Sequence, residues 1–93
     1  MNTKRKGTRN EHRSGTLLES LGYHVTRSSA SLGVFDLVGI SRSDFVLVQV
    51  KTNNWPGTAE LEAIREFPCP PNCRKLIHRW QDRQRMPDVK WIE

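Results

Sequence analysis

The apolar residues of this chain are few and fall in short, well-separated groups. Leu17, Leu18 and Leu21 stand at i, i+1 and i+4, which places them on one helix face and predicts a helix over 8–21. Gly22 follows at once and suits the residue after a helix end, while Gly15 weakens the helix interior by up to ~1 kcal/mol. Residues 23–27 are β-prone, and 28–33 are small and polar, as in a turn or loop. Two apolar strands follow, over 34–40 and 45–51. The short polar link 41–44 between them predicts an antiparallel hairpin. Residues 53–57 break the second of these strands, and Thr58 is placed to cap a second helix. The full capping box is absent because Leu61 occupies the return position, but Glu60 and Glu62 suit the helix dipole. Leu61, Ile64 and Phe67 form the apolar stripe of that helix, which ends at the run Pro68-Cys69-Pro70-Pro71-Asn72. Residues 75–81 and 89–92 read as two final strands around a polar turn containing Pro87. The order α-β-β-β-α-β-β predicts a small α/β domain: a mixed sheet of about five strands flanked by two helices.

Composition narrows this picture. A chain of 93 residues builds one domain over 1–93, and its 35% apolar content limits the core. Self-association would bury what the core cannot. Residues 1–7 are basic, polar and glycine-ended, which predicts a flexible arm. Fifteen Lys and Arg against ten Asp and Glu give a net charge of +5, the footprint of a nucleic-acid binder. Lys4, Arg5, Lys6, Arg9 and Arg13 crowd the N-terminus, and Arg74, Lys75, Arg79, Arg83, Arg85 and Lys90 fill the last third. Charge by itself does not name a partner, so a basic interaction protein without a nucleic-acid role stays open. The later basic set reads as a solvated strand face that can also track a phosphate backbone. No run approaches the ~18 apolar residues of a membrane span, and no secretory segment follows Met1. The expectation is a soluble, cytoplasmic protein with no membrane partner, in which Cys69 and Cys73 are free thiols. Their spacing lacks the further ligands of a zinc site. His12 and His24 read as surface residues, and Trp55, Trp80 and Trp91 as core or dimer-interface anchors more than as base-stacking groups.

The chemistry centres on Asp36, which stands between Phe35 and Leu37 in an apolar strand. A carboxylate there is costly unless it meets solvent, a partner or a metal. Gln49 and Lys51 share one face of the next strand, with Val50 on the other. Pairing the two strands brings a carboxylate, an amide oxygen and an ammonium together. Spacing alone leaves two readings open. One is a cross-strand Asp36–Lys51 ion pair. The other is a Mg²⁺ site with oxygens from Asp36, the Gln49 side chain and the Val50 backbone carbonyl, in which Lys51 orients an activated water or steadies charge on a phosphate. Glu11 is the best further acidic candidate.

The surrounding residues add to this. Arg5-Lys6-Gly7, Glu11, Leu17-Leu18, Leu21-Gly22-Tyr23, Val25, Arg27-Ser28, Ser31, Asp36-Leu37-Val38-Gly39 and Val46-Leu47-Val48-Gln49-Val50-Lys51-Thr52 together resemble the archaeal-type Holliday junction resolvases of the PD-(D/E)XK nuclease superfamily. The likeness covers about residues 5–52, and beyond them only the element order. It implies a restriction-endonuclease-like core, Mg²⁺ or Mn²⁺ as the sole cofactor, and a homodimer acting on branched DNA. Carried over by position, Glu11 is the helix glutamate, Asp36 the metal-binding aspartate, Lys51 the catalytic lysine and Ser31 the loop serine near the scissile phosphate. Ser28 and Ser29 compete with Ser31 for that last register. Lys4, Arg5, Lys6, Arg9 and Arg27 are the expected DNA contacts. Phe35 stands where the motif has proline, and Gln49 where most resolvases have glutamate. The resemblance thus implies a structure-selective, metal-dependent DNA endonuclease, and the uncharged Gln49 keeps a catalytically weak or inactive DNA-binding module as the alternative.

Overall fold

The computed structural model describes residues 3–28 and 33–93. Helix α1 spans Thr3–Ser20. It reaches back through most of the segment expected to be a separate flexible arm. Lys and Arg are good helix formers, and the Lys6 ammonium is tied to Asp82 at 2.6 Å, so the basic segment continues the helix. The other end of α1 closes as its glycine foretold. Gly22 takes φ 99°, its N–H donates to the Glu19 carbonyl, and the Tyr23 N–H donates to that of Leu18. That pair of bonds is a Schellman cap.

Five strands follow in one sheet of order β1-β2-β3-β4-β5: β1 His24–Arg27, β2 Leu37–Ile40, β3 Phe45–Thr52, β4 Cys73–Trp80 and β5 Asp88–Ile92. Helix α2, Thr58–Glu66, lies between β3 and β4 in the chain. The β2–β3 hairpin is antiparallel as expected, and β3–β4 is the single parallel pair, which needs the α2 crossover. The ladder of β2 begins later than its apolar run. Gly33 and Val34 form a turn, Phe35 and Asp36 lead from it into the strand, and the Asp36 N–H already donates to the Val48 carbonyl at 2.8 Å. Gly57, not Thr58, occupies the N-cap of α2, and no side chain caps it.

The sheet carries a helix on each face. On the α1 face Leu18 packs with Leu37, Val46, Val48 and Leu76. On the α2 face Ile64 packs with Phe35, Leu47 and Ile77, and Phe67 meets the Phe35 ring edge-on at 5.1 Å. Leu61 and Phe67 join this cluster partly buried, so the predicted stripe of α2 is the one it buries. Gly39 is where Tyr23 crosses the sheet: a Cβ there would stand 3.0 Å from a Val46 methyl and 3.1 Å from the Tyr23 Cβ.

Buried polar groups tie α1 to β4. Ser14 Oγ accepts from the Trp80 indole N–H at 2.7 Å and lies 2.9 Å from His78 Nδ1. Burial lowers the His78 pKa to about 4, so the ring is neutral near pH 7. Trp80 is thus a core residue, Trp55 is half-buried, and Trp91 is exposed. Among the C-terminal basic residues Lys75 is buried, its ammonium donating to the Arg65 carbonyl, so this strand face is not uniformly solvated.

Cys69 and Cys73 form a disulfide, which corrects the reading of two free thiols. The Pro70-Pro71-Asn72 turn folds back through a Cys73 N–H bond to the Pro70 carbonyl and brings the two Cα atoms to 5.6 Å, inside the range a disulfide spans. Among the described residues no helix is long and apolar enough to cross a membrane.

Candidate metal centre

The site lies where the start of β2 meets the end of β3. The segment leading into β2 sets Asp36 beside β3, where its N–H donates to the Val48 carbonyl and its Oδ2 accepts the Val50 N–H at 2.7 Å. Period-2 alternation turns Gln49 and Lys51 to the α2 face, as the sequence predicts. There the first turn of α2 presents Glu60 to both. One oxygen of Glu60 accepts from Gln49 Nε2 at 2.9 Å, and the other lies 3.5 Å from the Lys51 ammonium. Lys51 therefore pairs with Glu60 and not with Asp36, which resolves the cross-strand alternative.

Burial pushes the Asp36 carboxyl above its ordinary value. The Val50 N–H bond works against this, Glu11 adds to it, Lys51 opposes it and Glu60 adds to it. Burial, with the Glu11 and Glu60 charges, outweighs the Val50 N–H and the Lys51 ammonium, a balance that a cation would shift back. Gln49 is 4% exposed, and its Oε1 is buried with no hydrogen-bond partner among the described residues. A buried carbonyl oxygen and a carboxylate are hard donors of the kind Mg²⁺ and Mn²⁺ take. By donor chemistry Asp36 and Gln49 suit a divalent ion, while among the described residues no group of three His, Cys, Asp or Glu converges on one. Val50 meets Asp36 through its N–H.

The remaining candidates separate. Glu11 is within electrostatic reach of Asp36 but is ion-paired to Arg27 at 2.9 Å. That pair engages Arg27, and the Asp82 pair engages Lys6. Arg9 is exposed and lines a cleft of about 490 Å³ with His12, Arg13, Trp80, Arg85 and Met86, which contains neither Asp36, Gln49 nor Lys51. The Arg13 guanidinium stacks 3.9 Å over the Trp80 ring at its wall. Arg5 is exposed on α1. Ser31 lies outside the described residues, as do Ser29 and the Lys4 side chain. Sequence reasoning gave Glu60 only a helix-dipole role. The available signal was that the crossover helix must cover the face bearing Gln49 and Lys51, which puts the first turn of α2 within reach of both.

No protein-family model matches the chain, and no curated protein matches it. Among solved structures it is similar to Hjc of Archaeoglobus fulgidus, a Holliday junction resolvase from an archaeal hyperthermophile. The TM-score is 0.69 at 19% identity, over 94% of this chain and 71% of that one. The α-β-β-β-α-β-β chain described above thus has a small nuclease-like fold, that of a Holliday junction resolvase.

Proposed function

We propose that this chain is a metal-dependent DNA endonuclease of the PD-(D/E)XK type, structure-selective and acting on branched DNA as a homodimer. The observation that carries the reading is the buried, unpartnered Gln49 Oε1 one residue from the Val50 N–H that anchors Asp36, on a resolvase-like fold. Asp36 and Gln49 would hold Mg²⁺ or Mn²⁺. When bound, the ion supplies Lewis acidity that lowers the pKa of a water and offsets charge on the phosphate. Lys51 keeps its ammonium at the same edge, where it donates to the reacting phosphate. Glu11 on α1, paired to Arg27 at the end of β1, lies within electrostatic reach of Asp36. The basic cleft with Arg9, Arg13 and Arg85 receives a phosphate backbone, a contact that positions DNA without reading its sequence.

Purified protein incubated with a four-way junction and with linear duplex, each with Mg²⁺ or Mn²⁺, tests this. Cleavage is expected to favour the junction and to fall about 10²-fold or more in Asp36→Ala and Lys51→Ala. Absence of cleavage by the wild type, or an unchanged rate in Asp36→Ala, refutes it.

A second reading is supported by the uncharged Gln49 and by the lack, among the described residues, of any group of three His, Cys, Asp or Glu able to hold an ion. It is a DNA-binding module on the same fold without catalysis. It expects junction binding that survives Asp36→Ala, falls steeply with salt and is accompanied by no cleavage in either metal.

A further inference from the structure

Glu60 does more than its place in the first turn of a helix requires. A favourable contact with the α2 dipole needs only a negative charge near the helix start. Here both carboxylate oxygens are engaged across the gap to β3, one by the Gln49 amide and one by the Lys51 ammonium. An ionised carboxylate only accepts, so it holds the NH₂ end of Gln49 towards itself; reversing the amide would set oxygen against oxygen. The end left over is Oε1, buried and unpartnered. The Glu60 charge is also felt at Asp36.

We infer that Glu60 supplies, from α2, the negative charge that Gln49 lacks on β3, and that it turns the Gln49 carbonyl oxygen free for a divalent cation held with Asp36. The inference rests on the nuclease reading above. It makes Glu60 a positioning residue whose carboxylate completes the charge of the cation site. Glu60 is partly solvent-exposed at its side chain, so an isosteric Glu60→Gln is expected to leave the fold intact.

The test is titration of the metal-free protein with Mn²⁺ by calorimetry, with melting temperature recorded on the same samples. Wild type, Asp36→Asn, Glu60→Gln and the double variant Gln49→Glu/Glu60→Gln are compared. The wild type is expected to bind Mn²⁺ and Asp36→Asn to lose it. Glu60→Gln is expected to weaken binding about tenfold or more with little change in melting temperature, and the double variant to return within about threefold of the wild type. Wild-type-like Mn²⁺ affinity in Glu60→Gln, with Asp36→Asn still defective, overturns the role of Glu60 while leaving the nuclease reading standing. Weakened binding in Glu60→Gln without recovery in the double variant overturns charge replacement. No Mn²⁺ binding by the wild type overturns both the inference and the reading beneath it.

Discussion

The buried His78 ties the stability of this domain to pH. Its ring is 2% exposed between α1 and β4, and burial holds its pKa at about 4 against an ordinary 6.5. The folded state therefore binds the proton less tightly than the unfolded chain. For a group with a depressed folded pKa, stability is fully present above the unfolded value and is lost as pH falls towards the folded one. The window runs from 6.5 down to about 4. Between about pH 7.5 and pH 5 the linkage relation gives a loss of about 2 kcal/mol, and completion of the titration below the folded pKa brings it to about 3.4 kcal/mol, at 1.36 kcal/mol per unit. The Ser14 hydroxyl, which already accepts from the Trp80 N–H, would have to accept from a protonated His78 as well. The assay is urea unfolding at about pH 7.5 and about pH 5, for wild type and His78→Gln, with the pH-induced change compared between them. That double difference cancels the shared carboxylates, including Asp44, Asp82 and Asp88, whose lowered pKa values also cost stability in acid. With m near 1 kcal/mol/M, the wild-type midpoint should fall by ~2 M more than that of the variant. Equal losses in the two proteins refute the argument.

Two further outcomes follow from the packing. Ile64→Ala empties the contact that docks α2 on Phe35, Leu47 and Ile77 and should cost about 2–5 kcal/mol, read as a lower urea midpoint; a cost below ~1 kcal/mol would mean that α2 is not anchored there. Cys69→Ser opens the small loop closed by the Cys69–Cys73 disulfide and should cost about 2 kcal/mol on chain-entropy grounds, with reductant lowering the melting temperature of the wild type but not of the variant.

What the sequence by itself determined is the set of local decisions. Leu18 of the predicted leucine face anchors α1, although Leu21 lies past its end and is exposed; Gly22 ended the helix, and alternation put Gln49 and Lys51 on one face of β3. These depend on neighbours a few residues apart, so they are written in the chain. Local composition misled where a distant partner outweighed it. The basic start read as an arm until Asp82 tied Lys6 down, and two cysteines read as thiols until a proline turn brought their Cα atoms together. The site divides in the same way. Asp36, Gln49 and Lys51 were legible because one hairpin brings them together. Whether Lys51 pairs with Asp36 or another acid was decided only by the α2 crossover, which lays Glu60 over the face bearing Gln49 and Lys51. Spacing encodes which face a side chain occupies. Only the packed fold decides which charge from another element meets it there, because that encounter is fixed by how a helix docks on a sheet and not by distance along the chain.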